Sequence, residues 1–373
     1  MTGRDEPHTD CALYRGSVPC APHKRDGRPC AGCDEYAPRT ASVLVVKLGA
    51  MGDVLRTTAL LGDIAARHPG LPIVWLTKPE SIELLRSHPS VDRAIATDAV
   101  EALDEIPFCA VYALDNDPEG LAYAARARAE RYHGFVAGAF GTCVGVAPGG
   151  DPTLFEIGIR DDLKRANRRS YLELLAAAAG LTYGGALPYV ALDEVEDARA
   201  RALFDALPRP LFGVNTDASE RWERKRWNPE HVARFVELAA RDGAGVVLLG
   251  GAEAHARNRG LAERFPGNAL AFESSGSVRR LAAGIANCDA LLTGDTLAMH
   301  AGWGLGVPVV ALFGPTSSAE IDLGPRDRKL TAEGLACLGC YLRTCAVDPH
   351  CMDLLAPDYV YDNVRAVVAL RAG

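Results

Sequence analysis

Short apolar runs rich in β-branched residues alternate along this chain with longer Ala-, Leu- and Arg-rich stretches of helical period. In the first half, the pattern predicts strands over Ser42–Leu48, Pro72–Thr77 and Cys109–Leu114, and helices over Val54–Arg67 and Glu80–Ser87. In the second half, it predicts strands over Leu211–Asn215, Gly245–Leu249, Ala290–Thr293 and Pro308–Phe313, and helices over Pro229–Arg241 and Ala252–Arg264. Strands separated by helices are typical of βαβ units, which form parallel sheets. The pattern therefore predicts an α/β fold in two halves.

The length agrees with this division. At roughly 100–200 residues for each domain, 373 residues correspond to two domains. The stretch Leu207 to Leu211 contains two prolines, which interrupt the helical pattern and favour an extended link. We predict two Rossmann-like domains at residues 41–207 and 208–335. A cysteine-rich segment at residues 1–40 precedes them, and a second one with a return helix, residues 336–373, follows.

The charge balance narrows the classes of partner. The chain has 40 Lys or Arg residues and 48 Asp or Glu residues, so its formal net charge is -8. Such a chain does not bind nucleic acid through bulk charge, and we expect no nucleic-acid partner. No apolar run approaches the roughly 20 residues that span a bilayer, and residues 1–20 lack the apolar core of a secretory signal. We expect a cytoplasmic protein, with peripheral contact at the inner face of the cytoplasmic membrane as an alternative.

The first candidate motif, Lys47-Leu-Gly-Ala-Met-Gly-Asp53, lies where the first predicted strand meets the first predicted helix. Gly49 and Gly52 permit a tight turn and close approach of a ligand, and the N–H groups of a helix N-terminus favour negative charge. The motif lacks a third glycine, and the second strand does not end in an acid, so it departs from a dinucleotide-binding fingerprint. Asp53 is either the N-cap of the helix or a general base at the carboxyl edge of the sheet.

The second motif runs from Gly294 to Thr316 and begins Gly-Asp-Thr-Leu-Ala-Met-His. A polar turn after one strand opens a helix that carries His300, and the next strand delivers Thr316 to the same edge of the sheet. Asp295, Thr296, His300 and Thr316 are therefore predicted around one helix N-terminus, where the free N–H groups suit a diphosphate. Taken alone, His300 is more typical of a hydrogen-bonded core residue.

A polar loop follows the first strand of the second domain. It contains Thr216, Ser219 and Lys225 and ends at a helix start, Pro229. Its Lys and Arg side chains are suited to phosphate, and the alternative is a solvated loop above two packed Trp residues.

Two basic features are candidates for an anionic acceptor. The stretch Lys164–Arg169 is either an acceptor site or a solvated helix face. Arg56 follows Asp53 by one helical turn, and it is the stronger candidate for the acceptor.

The strings Lys47–Asp53 and Gly294–Thr316, with Lys225-Arg-Trp-Asn-Pro229 between them, resemble glycosyltransferase family 9, the heptosyltransferases of lipopolysaccharide core assembly. The resemblance covers most of residues 42–320. It implies the GT-B fold, in which the first Rossmann-like domain binds mainly the acceptor and the second binds the nucleotide-sugar. It also implies an inverting transfer without a metal at the chemical step. The donor would be a nucleotide-diphosphate sugar such as ADP-heptose, and the acceptor a hydroxyl of a glycan, glycolipid, lipopolysaccharide core or protein.

The resemblance implies roles for individual residues. Asp53 matches the catalytic base of the family. Lys225 matches the family's phosphate-binding lysine. Asp295, Thr296 and His300 match its donor-binding D-T-G-x-x-H string, and Glu253 matches its ribose carboxylate. Leu297 stands where the family usually has Gly, so a side chain projects toward the donor there.

Eight of the 11 cysteines form two terminal quartets. These quartets are Cys11, Cys20, Cys30 and Cys33, and Cys337, Cys340, Cys345 and Cys351. In a reducing cytoplasm, dense cysteines favour tetrahedral metal binding over disulfides. We predict structural zinc or iron at both quartets; an iron–sulfur cluster, disulfides, or one site shared by the termini are alternatives. Cys109, Cys143 and Cys288 lie in apolar segments and are predicted to be core residues.

Two functions of other classes stay open beside an inverting transferase that needs no cofactor for its chemistry. One is a redox or iron–sulfur protein on a nucleotide-binding scaffold. The other is a non-catalytic binding module whose termini recruit a protein and whose cleft, altered at Leu297, senses a nucleotide. The sequence does not define the oligomeric state.

Overall fold

A computed structural model describes residues 6–39, 41–218, 224–274 and 276–369 of the chain. The chain forms two compact units, which we call unit 1 and unit 2. Unit 1 runs up to Leu48 and includes Gly62–Gly150 and Ala178–Gly180; unit 2 comprises Gly49–Leu61, Asp151–Ala177 and the chain from Leu181 onward. The segment that contains Asp53 therefore belongs to unit 2. The domain boundaries given above stay a prediction.

Each unit contains a six-stranded sheet. The first consists of β1 (Ser42–Val46), β2 (Ile73–Thr77), β3 (Arg93–Ala96), β4 (Phe108–Ala113), β5 (Arg131–Ala137) and β6 (Cys143–Val146). Its order is β3-β2-β1-β4-β5-β6, and only β6 is antiparallel to its neighbour. The second consists of β7 (Leu211–Asn215), β8 (Gly245–Gly250), β9 (Ala269–Glu273), β10 (Ala290–Gly294), β11 (Val309–Phe313) and β12 (Arg328–Thr331). Its order is β12-β11-β10-β7-β8-β9, and all its pairs are parallel.

The described helices connect or cover these strands. They are α1 (Ala21–Asp26), α2 (Met51–Thr57), α3 (Leu61–Arg67), α4 (Ile82–Leu85), α5 (Pro118–Arg126), α6 (Thr153–Ile159), α7 (Asp161–Ala166), α8 (Tyr171–Ala178), α9 (Glu194–Phe204), α10 (Pro229–Arg241), α11 (Ala252–Ala262), α12 (Val278–Ala286), α13 (Leu297–Gly304) and α14 (Pro357–Ala369). Short 3-10 turns lie at Thr58–Leu60, Pro79–Ser81, Thr97–Leu103 and Ser318–Glu320. Among these described helices, none combines the length and apolar character needed to cross a bilayer.

The predicted helix Val54–Arg67 is divided in the structure. A 3-10 turn at Thr58–Leu60 separates α2 from α3. The Thr57 hydroxyl donates to the Asp53 carbonyl at 2.6 Å, and the Thr58 hydroxyl donates to the Leu55 carbonyl at 2.7 Å. Hydroxyls bonded to backbone carbonyls compete with the helical pattern, which accounts for the change of helix type at this point. The break leaves α2 as a separate short helix in unit 2.

The core of unit 2 lies between its sheet and helices α10 and α14. Val360, Val364 and Val367 of α14 are completely buried there, and the Tyr361 ring packs edge-on against the Phe235 ring at 5.4 Å between centroids. The predicted return helix corresponds to α14, and these contacts place it in the core of unit 2. Burying the apolar face of α14 stabilises unit 2 because that surface is removed from water.

Several elements were not predicted because their hydrophobic pattern is weak. Strands β3 and β5 alternate exposed and buried residues irregularly, as expected near the edge of a sheet. The prediction that three isolated cysteines are core residues is confirmed for Cys288, which is buried. It is wrong for Cys109 and Cys143, which are partly exposed. Cys109 lies near the start of β4, and Cys143 is the first residue of the edge strand β6.

Candidate functional site

Asp53 lies in the first turn of α2, where it is paired with Arg56. The N-cap of α2 is Ala50, so the interpretation of Asp53 as an N-cap is wrong. The Asp53 carboxylate forms an ion pair at 2.6 Å with the guanidinium of Arg56, three residues further along the same helix. Its side chain is 37% exposed, whereas that of Arg56 is 13% exposed. The carboxylate is thus oriented by a largely buried cation and still reaches solvent.

The Arg56 guanidinium lies over the aromatic ring of Tyr171, 3.7 Å from the ring centroid. Burial acts to lower the pKa of Arg56, but the carboxylates of Asp53, Asp295 and Glu320 outweigh it and raise that pKa. Within the described residues, the buried Nε atom has no hydrogen-bond partner. Arg56 is therefore a permanently charged group with a donor that the described residues do not satisfy.

Lys225 and Asp295 form the second charged pair of unit 2. The Lys225 ammonium donates to the Asp295 carboxylate at 2.7 Å and to the Asp295 carbonyl at 3.0 Å. Burial acts to raise the pKa of Asp295, and the adjacent Lys225 charge outweighs it, so that the pKa lies below its usual value. A Cβ at Gly294 would lie 2.6 Å from the Lys225 carbonyl, so only glycine permits this approach of the two segments. The pair sits directly before the N-terminus of α13.

His300 lies one turn into α13 and is 4% exposed. Burial, assisted by the positive charge of Arg56, lowers the pKa of His300 to about 4. Its Nδ1 atom is buried and has no hydrogen-bond partner within the described part of the chain. The imidazole is therefore neutral near pH 7, with one buried polar atom that no described residue satisfies.

Gly52 lets α2 pack directly on α13. A Cβ at Gly52 would lie 3.1 Å from the His300 ring and 3.6 Å from the backbone of Leu297. Leu297 is the first residue of α13, and its N-cap Thr296 makes no side-chain capping bond. Packing of the two helix starts brings the Asp53–Arg56 pair to the same region as the Lys225–Asp295 pair. The charges of both pairs act on the pKa of His300, so both lie near its ring.

The structure brings together most of the predicted site residues. Seven of them lie in one region of unit 2: Gly52, Asp53, Arg56, Lys225, Asp295, Thr296 and His300. Gly49 directly precedes α2 and belongs to the same unit. Thr316 lies next to the Asp295 carboxylate, as the second predicted motif requires.

Other predicted residues have partners outside this cluster. The Thr216 hydroxyl lies 2.8 Å from the buried Asn258 side chain, and Glu253 is exposed in the first turn of α11. Ser219 lies outside the described residues. Along Lys164–Arg169, Lys164 covers the ring of Tyr341 at 3.4 Å, whereas Arg168 donates to nearby backbone carbonyls. Arg168 therefore makes local contacts, whereas Lys164 contacts a residue that is remote in sequence.

Sequence reasoning missed Asn215 and Tyr171. The Asn215 amide donates to the hydroxyls of Thr293 and Thr296, at 3.2 and 3.1 Å, and so links the end of β7 to the start of α13. Its position directly before Thr216 at a strand end was the available signal. Tyr171 is remote in sequence from Arg56, and no spacing rule connects the two residues.

The cysteines of each quartet are near one another. The N-terminal four line a cavity of about 330 Å³ together with His8 and His23. Burial raises the pKa of the Cys351 thiol, and the other three C-terminal thiols raise it further, which places them within electrostatic range of Cys351. All cysteines fall within the described residues, and none is in a disulfide. Across that same part of the chain, no three His, Cys, Asp or Glu side chains are already spaced to hold a metal ion.

Mainly parallel α/β sheets, with charged side chains gathered at a helix N-terminus, are suited to binding the phosphate groups of a nucleotide. The model of glycosyltransferase family 9 (heptosyltransferase) matches residues 160–349, half of the chain. The chain therefore belongs to glycosyltransferase family 9.

Individual relatives agree with this assignment. A lipopolysaccharide heptosyltransferase 2 of Salmonella typhimurium is 37% identical over 119 residues, which make up 29% of this chain and 32% of that protein. The chain spans less than half of the length of the curated relatives that it matches.

Solved structures match over a larger part of the chain. The Escherichia coli ADP-heptose heptosyltransferase II has a TM-score of 0.67 at 20% identity, over 89% of this chain and 100% of that chain. The dodecameric iron-containing heptosyltransferase TibC, in complex with ADP-D-β-D-heptose, has a TM-score of 0.55 at 12% identity, over 89% of this chain and 77% of that chain. At such identities the matches concern the fold, and they confirm the predicted GT-B class.

Proposed function

We propose that this protein is an inverting glycosyltransferase that moves a heptose-like sugar from a nucleotide-diphosphate donor, such as ADP-heptose, to a hydroxyl of a lipopolysaccharide-core or related acceptor. Family membership supports a sugar transfer. The observation that carries the proposal is the convergence of Asp53 and Arg56 with Lys225, Asp295 and His300 at the start of α13. A carboxylate that reaches solvent lies there beside cations and a helix N-terminus.

Asp53 is the proposed general base. The acceptor oxygen bonds to the anomeric carbon on the face opposite the diphosphate, and the bond from that carbon to the phosphate oxygen breaks. The acceptor proton passes to the Asp53 carboxylate, and Arg56 holds this carboxylate in place at 2.6 Å. As the buried guanidinium also has an unsatisfied Nε, Arg56 is the proposed contact to an anionic acceptor.

The leaving diphosphate carries the charge that develops during transfer. Lys225, the N–H groups at the start of α13 and the Nδ1 atom of His300 are the proposed groups that meet it. These groups are in place before the reaction begins. They can therefore stabilise the charge on the leaving diphosphate without a cofactor. Thr216, Ser219 and Glu253 stay proposals for the nucleoside part of the donor.

We also propose that each cysteine quartet binds one structural zinc or iron ion. The four N-terminal thiols line one cavity, and the C-terminal thiols group around Cys351. Four thiolates are the ligand set of a closed tetrahedral site. The side chains would draw together on binding, since in the described residues they are not yet spaced around an ion. The iron named for TibC supports iron as one of the two candidates.

The transferase proposal is tested with Asp53→Asn, which removes the base and keeps the size of the side chain. We expect transfer from ADP-heptose to fall by about 10²- to 10⁴-fold, the usual contribution of a general base. Calorimetry should show that ADP binding is retained. The matched control is Asp205→Asn at the exposed end of α9, which should leave both measurements unchanged. Loss of ADP binding with residual transfer would contradict the role of Asp53.

A further inference from the structure

The C-terminal cysteine segment, residues 337–351, packs against the loop that follows β11. The Gly339 N–H donates to the Gly314 carbonyl at 2.9 Å, and the Tyr341 N–H donates to the Pro315 carbonyl at 2.8 Å. Cys351 approaches the same loop so closely that a Cβ at Gly314 would lie 2.3 Å from its sulfur. The loop Gly314 to Ser317 is therefore held by a segment that lies outside the transferase motifs.

The side chain of Tyr341 completes this contact. Its phenolic oxygen accepts a hydrogen bond from the Ser317 N–H at 3.2 Å. Tyr341 thus bonds to the residues on both sides of Thr316, through its backbone at Pro315 and through its side chain at Ser317. Thr316 in turn lies next to the Asp295 carboxylate of the candidate donor site.

Tyr341 is itself fixed by its neighbours. The Lys164 ammonium lies 3.4 Å from the centroid of its ring, and Glu320 lies at its hydroxyl. The φ of Tyr341, 54°, is in the left-handed region, which a bulky residue rarely adopts. These contacts hold the Tyr341 ring between Lys164 and Glu320.

We propose that Tyr341 is a positioning residue of the donor site, which fixes the loop Pro315 to Ser317 so that Thr316 stays beside the Lys225–Asp295 pair at the proposed site of the donor diphosphate. The inference rests on the proposed function. It also gives the C-terminal cysteine segment a part in donor binding, since Tyr341 directly follows Cys340.

The test is Tyr341→Phe, which keeps the ring under Lys164 and the backbone bond to Pro315 and removes only the hydroxyl. The Ser317 N–H then loses its partner, and the loop is no longer held on that side. We expect ADP to bind about 5- to 30-fold more weakly in calorimetry, the effect of losing one partly buried hydrogen bond that holds the loop. The KM for the nucleotide-sugar should rise by a similar factor, while kcat at saturating donor changes less.

The matched control is Tyr361→Phe, which removes a hydroxyl bonded to the Asp242 carboxylate at 3.1 Å in the core of unit 2. It should lower the melting temperature and leave ADP affinity and KM unchanged. Wild-type ADP affinity in Tyr341→Phe, with only a lower melting temperature, would overturn the inference and leave the proposed function standing. A wild-type protein that neither binds a nucleoside diphosphate nor transfers sugar would overturn both.

Discussion

At the scale of single residues, His300 is an uncharged imidazole among charged groups. Burial holds the pKa of His300 at about 4, below the ordinary value of 6.5. Below pH 6.5 the unfolded chain therefore takes up a proton that the folded chain does not bind at this position. The free energy of unfolding must fall as the pH is lowered from 6.5 toward 4, and His300 contributes to that loss.

His300→Asn tests this contribution. Between pH 6.5 and 5, the wild type should lose about 1 to 2 kcal/mol more unfolding free energy than the variant. Urea unfolding followed by tryptophan fluorescence at the two pH values measures the difference. His255→Asn, the same substitution at an imidazole of α11, is the matched control. Parallel losses in His300→Asn and the wild type would show that His300 is not a buried neutral group.

Residue identities were predictable from sequence wherever a motif concentrates them near one strand end. Asp53, Lys225, Asp295 and His300 were named as candidates in this way, and the structure places them in one region. Tyr341 was not found, because its contacts with Ser317 and Lys164 join segments that no motif relates. Spacing rules carry information about one turn or one strand end, and such tertiary contacts lie beyond their range.

At the scale of elements, the packing of α2 on α13 depends on a glycine. A Cβ at Gly52 would lie 3.1 Å from the His300 ring, whereas a Cβ at Gly62, also the second residue of its helix, meets nothing within 4 Å. Replacing a helical glycine by alanine stabilises a helix by up to about 1 kcal/mol where the space is free. Helix propensity therefore favours alanine over glycine at both positions, but only at Gly52 would the added methyl group meet a neighbouring helix.

We expect Gly62→Ala to raise the melting temperature and to keep wild-type transfer. Gly52→Ala should be less stable than Gly62→Ala and should lower kcat, because the added methyl group displaces His300 or α2 with Asp53. Thermal unfolding and steady-state transfer assays on both variants provide the comparison. Wild-type kcat and KM in Gly52→Ala would show that the contact between α2 and α13 does not matter for the reaction.

Central strands and amphipathic helices were predicted better than the elements around them. The predicted bounds of β7 and α10, Leu211–Asn215 and Pro229–Arg241, are those observed. Both elements bury a continuous apolar face, and this is the signal that periodicity detects. The edge strand β3 depends instead on pairing with its neighbouring strand, and the break between α2 and α3 depends on Thr hydroxyls. Hydrophobic periodicity carries no information about either.

At the scale of the whole molecule, the two cysteine quartets belong to different units and are expected to differ in their effect on function. The N-terminal quartet lines its own cavity in unit 1, among residues 7–36. The C-terminal quartet belongs to unit 2 and contacts the loop beside Asp295. A metal at the first would stabilise unit 1 alone, whereas a metal at the second would also hold Tyr341 against that loop.

Two matched double variants separate these roles, because each quartet contains one Cys-x2-Cys pair. Elemental analysis should show one metal ion lost from each of Cys30→Ser/Cys33→Ser and Cys337→Ser/Cys340→Ser, and none from the control Cys109→Ser. Both double variants should melt at lower temperature, since metal binding free energy is part of folding free energy. Only the C-terminal variant should raise the donor KM, by a factor similar to that of Tyr341→Phe. A purified wild type without zinc or iron would contradict metal binding, and a raised KM in the N-terminal variant would contradict the separation of roles.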